Sequence, residues 1–312
     1  MKKMDNESHI EGLLYDHKLE VRESGPNSKN PGTRYITGTV DVATDDKLQN
    51  IVTVHYTYVT AVTSRGNNNA TFGVLTDIID GRIGTIVGSG VEKAGKVRID
   101  SAIGLNEFYS NRSGEEELVS VKRNEGGFIH SATELASDEN TRNTFKVDMV
   151  ITKVTHIDGD PDSGTEDRAI VKGAIFDFRN ALLPVEFTAL SQGAMNYFEG
   201  LEASSQHPVF TKVWGRQVST TIVHKTVMEN AFGEDEVRET RRSRKDYVIT
   251  GASKDPFIWD DESTITAQEF AKAISDREIY LATLKQRNDE YQASRNVAVA
   301  SASTATKGGF NF

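Results

Sequence analysis

The sequence predicts a mainly β protein: two OB-fold-like barrels in tandem, then a C-terminal amphipathic helix and a disordered tail. Three observations point there. A strand–turn–strand–helix pattern occurs twice. Gly, Thr, Asn and Asp are plentiful beside a modest 37% hydrophobic content, as turn-rich β proteins require. One segment near the C-terminus changes its apolar period from two to about 3.6. The first copy of the pattern runs Tyr35–Val42 with Gly38 inside, a polar turn at 44–50, Ile51–Val59, then a helix over Ala70–Ile79. The second runs Ile170–Phe178 with Gly173 inside, a short turn, Pro184–Ala189, then a helix over Gly193–Leu201. In each copy a helix interrupts a run of strands and more strands follow. That is the order of the OB-fold, a small barrel whose open face commonly holds single-stranded nucleic acid or sugars.

Taken in order, residues 1–32 read as an N-terminal arm ending in the turn formers Gly25–Gly32. The first barrel is expected over 33–135, the second over 140–252, an acidic linker and helix over 253–292, and a flexible tail over 293–312. In the leading strand Ile36, Val40 and Val42 share a face with Gly38, opposite Tyr35, Thr37, Thr39 and Asp41, the alternation of a half-buried strand. Gly38 suits a strand that must coil sharply. Lys96–Ala102 and Glu117–Arg123 read as closing strands with an aromatic and basic loop, Asn106–Gly114, between them. Gly84–Gly90 lacks the Lys-Ser/Thr ending of a phosphate loop and reads as a turn. Arg142–Ile157 is a long strand, and Asp158–Gly164 departs from calcium-loop spacing and reads as a hairpin tip. Pro208–Val223 and Tyr247–Gly251 complete the second barrel. Thr266-Ala-Gln-Glu269 is a capping box. Phe270, Ile274, Leu281, Leu284 and Tyr291 then recur at helical steps with Arg277 in the gap, a stripe suited to the core or to a homo-oligomer seam.

Composition narrows the function classes. There is no cysteine, so disulfide frameworks and thiolate metal sites are excluded. The seven His residues are scattered without metal-ligand spacing, and no nucleophile elbow occurs. No cofactor, metal or catalytic set is expected. The start lacks a signal peptide and no run reaches the ~20 apolar residues of a membrane span, so a soluble, cytoplasmic protein is expected. A net charge of −10 means that any phosphate-binding surface must concentrate its cations locally. Arg241–Lys245 is one such concentration beside acidic neighbours.

Single strands are held by aromatic rings under the bases and cations along the backbone. Strand faces that alternate the two are therefore the candidates. In the second half these are Lys172, Phe176, Phe178 and Arg179, and Lys212, Trp214 and Arg216. In the first half they are Arg34, Tyr35 and His55, with Arg65 beyond the strand. The loop residues Phe108, Tyr109 and Arg112 and the stretch Lys122, Arg123 and Phe128 add to them. Phe310 and Phe312 on the tail are candidates for docking into a protein partner.

Val97–Tyr109, Lys122–Phe128 and Leu183–Phe187 resemble stretches of tailed-bacteriophage single-stranded DNA-binding proteins. The resemblance implies tandem OB-folds, non-specific coating of single-stranded DNA in phage replication or recombination in the host cytoplasm, and contacts with replication proteins. The ending Lys307–Phe312 departs from the bacterial pattern of acidic residues before Pro-Phe. Two rival readings stand beside it. A phage structural or assembly protein would also use small β-barrels and acidic surfaces, and a dispersed nuclease or carbohydrate-active site would use the abundant carboxylates.

Overall fold

The computed structural model describes residues 3–112, 114–160, 165–228, 236–261 and 264–305. Strands β1 (Asn6–His17), β2 (Glu20–Glu23), β3 (Arg34–Ala43) and β4 (Ile51–Thr60) lead into helix α1 (Ala70–Ile79) and a single-turn helix α2 (Ile86–Ser89). Strands β5 (Lys96–Ser110) and β6 (Glu117–Ser131) follow. Then come β7 (Asn143–Ile157), β8 (Arg168–Phe176), β9 (Leu182–Ala189), α3 (Gln192–Gly200), β10 (Val209–Met228), β11 (Glu236–Ala252) and α4 (Ala267–Ala305).

The pairings close two five-stranded rings with identical connectivity. In the first, β1 pairs β3 and β5, β3 pairs β4, and β5 pairs β6, all antiparallel, while β4 and β6 close the ring in parallel at Val54↔Asn124 and His55↔Glu125. In the second, β7 pairs β8 and β10, β8 pairs β9, and β10 pairs β11, with β9 and β11 parallel at Val248↔Thr188 and Ile249↔Ala189. These are OB-fold-like barrels in tandem. Asn69 and Ser191 cap the helices that plug them. Leu75 and Ile78 of α1 join the first core, and Met195 and Phe198 of α3 the second.

The glycine repeated in the two sequence copies has the same duty in both. A Cβ on Gly38 would lie 2.0 Å from the Lys18 carbonyl oxygen, and one on Gly173 would lie 2.1 Å from that of Val150. Only a residue without a side chain lets the second strand of each barrel approach the first so closely.

Several expectations change. The segment taken as an arm supplies β1, whose Ile10 and Leu14 are buried. The turn cluster at 25–32 concealed it, because the chain turns there between β2 and β3 rather than before the barrel. Gly84–Gly90 contains α2, started by the Thr85 side chain. Asn106–Ser110 is strand rather than loop, so β5 and β6 form a long hairpin whose Ile103 and Leu105 enter or border the core of the second barrel. The β10–β11 ribbon is longer than expected at its hairpin end, β10 running on to Met228 and β11 starting at Glu236. Residues 161–164 of the Asp158–Gly164 tip, and Phe310 and Phe312, lie outside the described residues.

The barrels meet at β1 and β7, which pair antiparallel from Asn6↔Val147 to Ile10↔Asn143. A buried polar cluster lies at this seam. Gln217 Nε2 donates to Ser8 Oγ at 3.1 Å and to Asn124 Oδ1 at 2.8 Å, while Asn124 Nδ2 donates to Gln217 Oε1 at 2.8 Å. Asn50 and Asn143 both donate to the Gln217 carbonyl. Apart from Asn143 Oδ1, which is buried without a partner among the described residues, the side-chain amides of the cluster are bonded to one another or to backbone, and they fix how the barrels sit on each other.

Helix α4 begins at the expected capping box: Thr266 Oγ1 accepts from Glu269 N–H at 3.1 Å, and the Glu269 carboxylate accepts from Thr266 N–H at the same distance. Phe270 and Ala273 pack in a third apolar cluster with Met4, Phe176 and Phe210. The stripe is not a single apolar seam. Ile274 and Tyr291 are exposed, and Arg277 turns inward to pair with Glu107 of β5. The helix also continues to Ala305, past the expected start of the tail at 293.

Candidate nucleic-acid interface

The outward side chains of the first barrel form one strip. On β3 and β4, Tyr35 and Tyr58 hold their rings 4.5 Å apart, and Thr39 lies directly opposite His55. The parallel pairing places His55 beside Glu125 of β6. From Glu125 the two-residue alternation of β6 runs through Arg123 and Val121 to Val119, opposite Ala102, Gly104, Asn106 and Phe108 of β5. The strip therefore runs from Tyr58 past His55 and Arg123 to Phe108. Nine strand steps at ~3.3 Å each make it roughly 30 Å long.

A cleft of about 450 Å³ crosses its middle, lined by Thr53, His55, Arg123 and Lys245 among others. Lys245 reaches over from β11 of the second barrel, with Nζ 3.3 Å from Thr53 Oγ1. Arg123 is ion-paired with Glu125, its Nε and Nη2 each 2.7 Å from Oε1. Burial, with the Arg123 charge second, holds the His55 imidazole below its ordinary pKa. Histidine there is neutral at pH 7, so the positive charge of the cleft is that of its Arg and Lys residues.

The other sequence candidates divide by what they touch. Tyr35, His55, Phe108 and Arg123 come together on the strip. Phe178 and Arg179 share the turn after β8, Arg179 lying over the Phe178 ring at 4.9 Å. Arg34, Arg65 and Arg112 are exposed away from it, and Phe128 is exposed beside Asp100, past the Gly126–Gly127 bend. Lys122 points to the opposite side of β6, bonded to the Glu186 carbonyl and lying over Phe187 and Tyr247. Tyr109 is covered by Lys285 of α4.

The second barrel corrects the expectation most. Phe176 is buried in the cluster beneath α4, so it offers no platform. Lys172 pairs with Glu186 at 2.6 Å, directly across β8 and β9. Lys212 pairs with Asp5 at 2.6 Å; that hydrogen bond holds the Asp5 carboxyl below the usual range. Arg216 bonds Asn140. Trp214 of β10 is half-exposed but covers Gly251 of β11, away from the β8–β9 face. Of the strand cations read there, Lys172 and Lys212 are ion-paired and Arg216 is hydrogen-bonded to an amide.

Sequence reasoning missed Tyr58 and Lys245. A bulge between Ile36 and Gly38 shifts the β3–β4 register and turns Tyr58 outward, against the alternation from Val52 to Tyr56. Lys245 belonged to a basic run whose destination only the ribbon register reveals.

Among the described residues no cluster of three or more His, Asp or Glu is arranged to hold a metal ion. No helix among them is long and apolar enough to cross a membrane.

A single-stranded DNA-binding protein from Thermus aquaticus, solved as a deletion mutant, is similar at 12% identity and a TM-score of 0.44, over 84% of this chain and 100% of that one. A Replication Protein A heterotrimer bound to ssDNA is similar at 9% identity and a TM-score of 0.23, over 91% of this chain and 70% of that one. No curated protein matches the chain. Residues 5–287 match the sequence model of the YorF family. That match takes in both barrels and the first half of α4, and the chain belongs to the YorF family.

Proposed function

We propose that this protein binds single-stranded DNA without sequence preference and without catalysis. The observation that carries the reading is the strip on the first barrel, where exposed rings at both ends flank a cationic cleft. Rings at Tyr35, Tyr58 and Phe108 suit bases of any identity, because every base has a π face. Arg123 and Lys245 suit the backbone between them. The strip length is in keeping with the ~4–16 nucleotides that one OB-fold covers. In this reading the protein coats exposed single strands in the cytoplasm during replication or recombination, a phage-type role, and meets its protein partners through the tail.

The test is fluorescence anisotropy with labelled dT oligonucleotides of increasing length at two salt concentrations, with duplex as control. Labelled DNA is preferable to intrinsic fluorescence, because Trp214 and Trp259 both lie off the strip. Binding should depend on length and salt and exceed that of duplex. Arg123→Ala should reduce the salt slope by about one counterion. Absence of binding at low salt would reject the reading and favour an assembly role.

A further inference from the structure

Beside the strip, and sharing Tyr58 with it, lies a groove of about 930 Å³. That is within the ~300–1,000 Å³ of sites that hold small ligands. Three regions wall it: the first barrel through β4, β5 and the Gly126–Gly127 bend, the β8–β9 turn, and the first turns of α4. Each contributes an exposed ring. Tyr58 is 49% exposed, Phe178 75% and Tyr280 47%.

One exposed ring needs no explanation, but three converging from distant elements do. Phe178 belongs to none of the apolar clusters of the described residues. Its turn is held instead by the Asp177 carboxylate, which accepts from the N–H groups of Arg179 and Ala181 at 2.8 and 2.7 Å. The backbone thus presents Phe178 and Arg179 to the groove at fixed positions. The acids around the groove are occupied: Glu107 by Arg277, Glu125 by Arg123, Asp276 by Lys272, and Asp177 by its turn. Arg179 makes no ion pair among the described residues, and its guanidinium stacks on Phe178. Rings from three sides with one uncommitted cation suit planar bases carried on a phosphate chain.

We infer that the groove receives nucleobases of the strand bound on the first barrel. Phe178 and Tyr280 stack on them, Arg179 contacts the backbone, and α4 is one wall of the site. This rests on the reading of the strip as the DNA surface. It extends that reading to the second barrel and to a helix outside both barrels.

The experiment scans a single 2-aminopurine through a dT oligonucleotide and compares wild type with Arg123→Ala, Phe178→Ala and Tyr280→Ala. All three side chains are at least partly exposed, and circular dichroism confirms that the variants fold. In wild type the probe should respond at particular positions. That response should vanish in Phe178→Ala and Tyr280→Ala, with affinity lowered roughly 5- to 150-fold for each ring lost. If Arg123→Ala weakens binding while Phe178→Ala and Tyr280→Ala bind like wild type, the groove inference is overturned and the strip stands. If wild type binds no single strand, the strip reading fails and the groove inference with it. A labelled peptide of residues 300–312 is the competing occupant. Its capture by wild type but not by Phe178→Ala, with DNA binding intact, would assign the groove to another copy's tail and overturn the inference.

Discussion

Replacing Arg277 by Leu should release α4 from the barrels. The guanidinium Nη1 lies 3.2 Å from Glu107 Oε2 and 3.3 Å from the Leu182 carbonyl, and Nη2 donates to Glu107 Oε1. The two side chains are only 12% and 3% exposed. Leucine keeps most of the apolar volume, so the perturbation is one of charge: the Glu107 carboxylate is left buried without its partner. Removing one member of a buried pair typically costs ~3–5 kcal/mol. The remaining helix contacts are chiefly Phe270 and Ala273 in the third cluster, the half-buried Leu281 and Leu284, and the exposed polar contacts of Lys285 and Asn288 with Glu116 and of Lys285 with the Tyr109 ring. The loss should therefore fall on helix docking. Hydrogen exchange of α4 amides should quicken by about two orders of magnitude, the equivalent of ~3 kcal/mol, while the barrel amides stay protected. Glu107→Leu should behave alike. Glu107→Leu with Arg277→Leu should recover most of the protection, since replacing a whole buried pair by apolar groups is often near neutral. Single variants costing under ~1 kcal/mol, or a double variant as damaging as the two singles summed, would refute the pair as the latch.

Gly38→Ala should destabilise the protein by more than ~3 kcal/mol, since φ is +126° and the new Cβ would strike the Lys18 carbonyl. Gly73→Ala, in open space on α1, should instead stabilise by ~0.5–1 kcal/mol; urea titration of both variants checks the pair. His55 titrates below ~6.5 when folded and near ~6.5 when unfolded, so the unfolded chain binds the extra proton and stability falls as pH drops through that window. His55→Gln should lose this part of the decline, and equal slopes of Tm between pH 7.5 and 5 in both proteins would contradict it. Trp214→Ala should leave oligonucleotide affinity within about twofold of wild type, because the ring covers Gly251 off the strip; a loss worth a full ~1–3 kcal/mol stack would put β10 back on the binding surface.

The barrels were legible because their information is local. Period-two alternation, the paired glycines at 38 and 173, and the helix between strands all sit within short windows, and the Thr266–Glu269 box marks its helix outright. What was hidden depends on residues far apart in the chain. β1 reads as an arm until its partners are known: β3 beyond the turn cluster, β5 more than eighty residues away, and β7 further still. Lys172 and Lys212 read as phosphate contacts because their neutralising acids, Glu186 and Asp5, lie on other strands or beyond them. Tyr58 changed faces through one bulge, the case in which alternation misleads by construction. Arg277, standing in the gap of an apolar stripe, was the helix's inward residue because its partner waits on β5.

The antiparallel pairing of β1 with β7 sets equivalent strands of the two barrels side by side. Identical subunits joined in that way would be related by a twofold axis and would offer a ligand the same chemistry read in either direction. Here the halves share a chain and a topology but not their outer side chains. The first presents rings along its strip beside a cleft to which the second contributes Lys245, whereas the second pairs Lys172 and Lys212 with acids. Under the proposed reading, a strand laid across such a pair would meet unlike surfaces at its 5′ and 3′ ends, so the fused barrels would hold it with a polarity that a symmetric pair could not impose; end-labelled oligonucleotides bound in both orientations alike would contradict this.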